Sequence, residues 1–258
     1  MDHGLPLAKA LSDAFAQKIC VAQHKDDRSQ ERTILSGLSL GSFFSEAGWY
    51  NEAETTFAAC LQLSKLRIDV AENDPKSVAM STECCIRLMV VLNANCKYKE
   101  AEDACEKAAD FLDHLDRLSP FAPVNRAALY GERCALAFAK SQYDAAYLYG
   151  ERALKELKDD LPPKTVVDVL RQVSKACVVK REFEKAELLV RGAVNLAWEE
   201  FGKEHPKFAD ALLDYGFYLL NVDCIAQSVV VYQLALNVRN HFFKGSNINL
   251  AIAQKVGW

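Results

Sequence analysis

An all-α chain of about five tandem helix pairs is what the sequence predicts, on three observations. Apolar residues recur at intervals of three and four, the spacing that places them on one face of a helix. These stripes come in twos, joined by a short polar corner that ends in an aromatic or aliphatic residue: Tyr50, Tyr98, Tyr143, Phe183 and Ile225. Successive corner residues lie 48, 45, 40 and 42 positions apart, a period that marks repeats rather than unrelated helices. Pro75, Pro120, Pro123, Pro162, Pro163 and Pro206 all fall between the couples, where proline ends one helix or starts the next. Two stripes meeting at a tight corner make an antiparallel helix pair whose outer faces need neighbours, and the chain supplies them.

Residues 1–28 read as an N-terminal helix and linker, with Leu7, Leu11, Phe15 and Ile19 on one helical face and Asp26–Ser29 as the polar exit. This helix reads as the second member of a preceding pair. The repeat array then occupies 29–245. Its first pair covers Ser29–Ile68, with Gly41 and Phe44 in helix A and Ala53, Phe57, Cys60 and Leu61 lining helix B. The second runs over Ser77–Leu118, with Ala101, Cys105 and Ala108 in helix B. The third covers Val124–Leu157, with Ala146, Gly150, Ala153 and Leu154. The fourth is the clearest: Val166, Val169, Leu170, Val173, Ala176 and Cys177 face Phe183, Ala186, Leu189, Val190 and Ala193 across the corner Lys180–Glu182. Pro206–Phe242 is the fifth, with Gly216 in helix A and Ser228, Tyr232, Ala235 and Leu236 in helix B. A further repeat starts in 246–258 and is cut off, so a fragment or truncated product is expected. Small residues such as Ser174, Ala186 and Ala193 stand at the offsets of a tetratricopeptide (TPR) helix-turn-helix, with a period longer than its minimal ~34 residues. The expected architecture is therefore a TPR-type α-solenoid coiled as a right-handed superhelix.

Composition narrows the function classes. The net charge is −4 and no basic block exists, which argues against nucleic acid as the partner. No membrane insertion and no secretory signal are expected, because Asp2 and Asp13 bracket an N-terminus without a basic flank. The nine cysteines form no CxxC and no zinc spacing, and most sit in apolar stripes, so they read as reduced core residues. No phosphate loop, nucleophile elbow or HExxH is present, and His205 reads as a helix-start residue before Pro206. No catalytic residue, cofactor or metal is expected.

Several stretches then carry a resemblance. Asn125–Tyr147, Val166–Glu187, Leu212–Asp223 and Gly48–Leu63 are similar to the amyloid protein-binding protein 2 family, over about Gly37 to Leu250. Phe201–Pro206, FGKEHP, resembles the linker of kinesin light chain repeats. The resemblance implies a cytosolic peptide-binding TPR adaptor, with nuclear or cytoskeletal association as further locations. In that family it implies a substrate receptor of a cullin-2 ubiquitin ligase that binds C-terminal degrons of the Arg-x-x-Gly type. It also implies a link to the cytoplasmic tail of the amyloid precursor protein, or a cargo adaptor for microtubule motors. The family's elongin- and cullin-binding segment is not visible here, so elongin and cullin-2 are expected as partners only where that segment is present. A passive scaffold is the remaining alternative.

The TPR register projects helix A residues onto one concave wall. Glu83, Arg87 and Val90 come from pair two, and Ala128, Gly131, Glu132, Ala135 and Phe138 from pair three. Asp168, Arg171, Gln172 and Lys175 come from pair four, and Asp210, Leu213, Asp214, Phe217 and Asn221 from pair five. The groove candidates are Arg87, Glu132, Phe138, Asp168, Arg171, Gln172, Lys175, Asp214, Phe217 and Asn221. Arg171 and Lys175 would hold a peptide carboxylate, and Glu132, Asp168 and Asp214 a guanidinium. Gln172 and Asn221 would bond an extended backbone. All are expected to be exposed, with Tyr130 and Tyr215 given to packing between helices. The competing reading is that the charges merely solvate this face or pair with one another, as Asp168 with Arg171.

Overall fold

The computed structural model describes residues 4–70, 74–119 and 124–242. Among these residues there are eleven helices and no strand. Two compact units divide them at Asn125 and Arg126.

The N-terminal unit holds α1 (Gly4–Ala22), α2 (Asp27–Glu46), α3 (Tyr50–Val70), α4 (Pro75–Ala94) and α5 (Tyr98–Leu118). Helix starts follow the sequence chemistry. Asp26 caps α2 by accepting from the Ser29 amide, and Asp74 caps α4 by accepting from Lys76 and Ser77, with Pro75 in the first turn. Phe15, Ile34, Phe44, Phe57, Leu63 and Met89 fill the core with Cys60, Cys84 and Cys85. Gly41 is required here: a Cβ on it would stand 2.4 Å from the Phe57 ring of the facing helix. Helix α4 is long and apolar enough to cross a membrane by length and composition alone, although Lys76, Glu83 and Arg87 interrupt its apolar residues. It lies instead between α3 and α5, with twelve side chains buried, as the central helix of the unit.

The C-terminal unit holds α6 (Arg126–Ala139), α7 (Tyr143–Lys155), α8 (Pro163–Val179), α9 (Phe183–Phe201), α10 (Pro206–Asn221) and α11 (Ile225–Phe242). Each A helix packs on its own B helix and on the next A helix, so α6, α8 and α10 form a continuous inner layer. Val169, Val173, Cys177, Ala186 and Val190 are fully buried at the fourth crossing, as their stripe predicts. Ser174 is buried there too and returns its hydroxyl to the Arg171 carbonyl. His205 caps α10 through Nδ1, which accepts from the Lys207 amide, and its ring stacks on Phe201 at 5.0 Å. Tyr130 and Tyr215 pack against the core, as expected.

All five corners share one backbone solution. The residue two before each corner residue has positive φ: Gly48, Cys96, Ser141, Arg181 and Asp223. The next amide reaches back five residues, as in Lys97 to Leu92 and Glu182 to Cys177, which closes a Schellman cap. Only the first corner uses glycine. The other four hold a non-glycine residue in the left-handed region at some cost. The remainder of the sequence expectations, Pro120, Pro123 and the further repeat at 246–258, lies outside the described residues.

Candidate functional site

The site is built on the inner layer of the C-terminal unit. Helices α6, α8 and α10 each present one face inward, and their polar positions converge there. Arg171, near the middle of α8, is the hub. Its Nε donates to Asp214 Oδ2 at 2.8 Å, and its Nη1 donates to Asp168 Oδ1 at 3.1 Å and Asp210 Oδ2 at 3.4 Å. Asp168 also accepts from Lys207 Nζ at 2.6 and 2.7 Å. Asp210 takes a second cation, Arg239, which reaches in from α11. Lys175 Nζ stands 3.5 Å from Asp214 and 5.7 Å from the centre of the Phe138 ring. Phe138 meets Phe217 edge to face at 6.3 Å, which joins α6 to α10 over Lys175.

The electrostatics follow from this geometry. Burial disfavours the charged form of Arg171, but Asp214, Asp210 and Asp168 outweigh it and hold the guanidinium above its ordinary range. Burial likewise opposes ionisation of Asp210, and Arg171 with Arg239 reverses that, pulling the carboxyl down to about 2. Asp168 is lowered against its burial by Lys207 and then Arg171. Glu132 goes the other way. It is half-buried and makes no ion pair or hydrogen bond among the described residues. Burial and then the charge of Asp168 push its carboxyl up to about 7, against weaker pulls from Lys207, Lys175 and Arg171.

The expectation of an exposed wall is corrected here. The Arg171 side chain is 12% exposed and that of Asp214 10% exposed, and Gly131 and Ala135 are buried. The helices cross closely enough that carboxylates of α10 land on the cation of α8, so pairing rather than solvation satisfies them. Arg171 is engaged by three protein carboxylates through Nε and Nη1, and Asp168 and Asp214 each have two protein cations. The mutual-pairing alternative describes these three residues.

The structure brings together Glu132, Phe138, Asp168, Arg171, Lys175, Asp214 and Phe217. Gln172 lies beside them on α8, and its carbonyl accepts from Cys134 Sγ at 3.6 Å. Asn221 sits exposed at the end of α10 and donates to the Phe217 carbonyl at 2.8 Å. Arg87 belongs to the N-terminal unit, where it pairs with Glu83 at 2.7 Å and donates to Ser42. Sequence reasoning projected Asp210 but not its role, and it missed Lys207 and Arg239. Lys207 follows Pro206 in the first turn of α10, one turn before Asp210 and Ala211. Arg239 lies on a B helix, which the register assigns to the outer layer.

Tandem antiparallel pairs with a common corner, small residues at the crossings and a polar inner layer of A helices define a TPR-type α-helical repeat protein. No protein-family model matches the chain. It is related to amyloid protein-binding protein 2: it is 49% identical over 255 residues to the Rattus norvegicus protein and equally to that of Mus musculus. These matches take in 99% of the chain and 42% of the relatives, so the chain spans less than half their length. Among solved structures, BtubC (BKLC) from P. vanneervenii is similar with a TM-score of 0.55 and 16% identity, over 80% of this chain and 84% of that one. The apo form of RapI matches with a TM-score of 0.50 and 10% identity, over 91% and 82%. At such identities these two likenesses concern the fold alone.

Proposed function

We propose that the chain is a peptide-binding adaptor whose ligand lies extended across the inner layer of α6, α8 and α10. The observation that carries this reading is the make-up of that layer. An edge-to-face phenylalanine pair, a lysine over one ring and an open carboxyl at Glu132 stand beside an ion network that fixes the three helices. Packing alone has no need of half-buried charge on an inner face, and a polar wall with aromatic anchors is what an extended peptide requires. The ligand class we favour is a protein C-terminus of the Arg-x-x-Gly type, captured by a cytosolic substrate receptor of a cullin-2 ubiquitin ligase. The relatives' name adds an amyloid protein segment as a second probe.

The test is a fluorescence-anisotropy titration with labelled peptides ending in Arg-Ala-Ala-Gly, Lys-Ala-Ala-Gly and Ala-Ala-Ala-Gly. The arginine peptide should bind best and lysine more weakly, since it lacks the planar fork that matches a carboxylate. Charge-assisted bonds in a partly desolvated site contribute about 1.5–3 kcal/mol each, so loss of the cation should weaken binding about tenfold or more. Equal affinity for the three peptides would overturn the reading. Probing the same preparation for elongin decides ligase assembly separately.

A further inference from the structure

We propose that Glu132 is a proton-controlled specificity charge on this wall: ionised, it holds a cationic side chain of the peptide, and protonated, it releases it. The inference rests on the peptide-binding reading above and adds its regulation.

The geometry singles out this residue. Around Arg171 the inner layer groups the carboxyls Glu132, Asp168, Asp210 and Asp214 with the cations Lys175, Lys207 and Arg239, and Lys164 of α8 acts on Asp168 as well. Three of the carboxyls have a cation within ion-pair distance. Glu132 has none among the described residues, although it is half-buried. The charges that act on it are Asp168, Arg171 and Lys175 of α8 and Lys207 of α10, and its turn of α6 is seated on α8, where Cys134 Sγ donates to the Gln172 carbonyl. Arg171, Lys207 and Lys175 are instead engaged with aspartates. On α7, the other helix packed on α6, Asp144 turns to Lys180, Glu151 to Lys185 and Arg152 over Tyr130, while Lys155 ends the helix. On α6 itself Arg133 lies over Tyr149. Glu132 is therefore the carboxyl whose charge the protein leaves open.

Its state sets the charge of the wall. Ionising Glu132 lowers the charge of the wall by one, and it adds a carboxylate beside three aspartates that already have cations. An incoming ammonium or guanidinium meets a neutral carboxyl in the protonated state and an unclaimed carboxylate in the ionised one. Burial and Asp168 place the changeover near pH 7, where a glutamate is ordinarily long ionised. Binding a cation to the ionised form expels the proton, so affinity must rise with pH and level off above the changeover. For a ligand that takes only the ionised form, the gain between pH 6 and pH 8 is about tenfold.

The experiment compares the full chain with Glu132→Gln, a neutral isostere that reproduces the protonated state and needs no repacking. Two readouts are taken at pH 6, 7 and 8: anisotropy of the Arg-Ala-Ala-Gly peptide, and the melting temperature without peptide. The wild type should bind about tenfold more tightly at pH 8 than at pH 6, while Glu132→Gln should be weak and flat. Melting reports on the group directly. A folded-state value raised above the unfolded one gives stability that is present at low pH and lost as pH rises through about 7, so the wild type should lose ground to Glu132→Gln from pH 6 to 8. A pH-independent difference in melting overturns the inference, whatever the peptide does. A sloping difference with peptide bound equally at all three pH values also overturns it. A sloping difference with no peptide bound at any pH leaves the titration standing and overturns the binding reading on which the specificity role rests.

Discussion

The two units solve the same problem, holding stacked helix pairs together, with arginines used in opposite ways. In the N-terminal unit Arg67, 3% exposed, lies near the end of α3 and ties two helix starts: it pairs with Asp27 of α2 at 2.7 Å and donates to Ser77 of α4 at 3.1 Å. Of its acidic partners, Asp27 is 77% exposed and stays in water, while Asp74, 3.9 Å away and 32% exposed, is held mainly by its own cap bonds to Lys76 and Ser77. In the C-terminal unit Arg171 lies mid-helix among three partly buried aspartates. A capping arginine stitches ends together. A mid-helix arginine on an inner face fixes charges on a surface that faces a groove, and its removal has different consequences.

That contrast gives the largest expected effect. Arg171→Met leaves three aspartates with one cation each and should cost about 3 kcal/mol, the lower end for breaking a buried pair. The loss should appear as faster amide exchange in α8, α10 and α11 and spare α2–α4. Its pH dependence is the sharper mark. In the wild type Asp210 is lowered to about 2, so its stabilisation is complete above about pH 4 and disappears as pH falls through about 2, and Asp168, also lowered, acts in the same direction. The gap between wild type and variant should therefore close over that window. Arg67→Met should cost about 1–2 kcal/mol, from lost hydrogen bonds rather than stranded charge, with exchange rising in α2–α4. Equal acid rescue of both variants would show that the two arginines do the same job.

Much of this fold was legible in the residues. The corner residues Tyr50, Tyr98, Tyr143, Phe183 and Ile225 each begin a B helix, because a polar corner and a renewed apolar stripe leave little choice of register. Arg171 and Asp168 could be placed on one face from their spacing, since that depends on one helix only. That Asp210 and Asp214 would close on Arg171 depends on how far α10 is rotated against α8, which no single-helix pattern contains. Arg239 was hidden for the same reason: it reaches the inner layer from a B helix. Gly41 announced a close crossing, whereas the left-handed residue at four corners was disguised by Cys96, Ser141, Arg181 and Asp223, none of which signals positive φ as glycine does.

Those corners supply the intermediate effect. Arg181→Gly in the C-terminal unit should stabilise by about 1 kcal/mol, because glycine enters the left-handed region without the Cβ clash. Gly48→Ala in the N-terminal unit should destabilise by about the same amount at the equivalent position. Thermal melts of the two variants should therefore move in opposite directions. A shift of the same sign in both would mean that the corners differ in kind, despite the shared reach of the Trp49 and Glu182 amides to Phe44 and Cys177.

Arg87 should give the smallest effect. It is the one groove candidate in the N-terminal unit, half-buried, and it shares its guanidinium between Glu83 at 2.7 Å and the Ser42 hydroxyl. Both carboxylate and guanidinium are about one-third exposed, so water screens the pair and competes for its hydrogen bonds. An i,i+4 pair of this kind contributes about 0.3–0.5 kcal/mol, and the Ser42 contact adds a similar amount at most. Arg87→Ala should thus lower stability by well under about 1 kcal/mol. Its effect on the Arg-Ala-Ala-Gly peptide is the informative part. Where Glu132, Phe138 and Phe217 of the C-terminal unit suffice to hold the ligand, the dissociation constant should be unchanged within error, and its pH profile likewise. A clear loss of affinity in Arg87→Ala, with melting unaltered, would extend the binding surface to the N-terminal unit and end the assignment of recognition to α6, α8 and α10 alone.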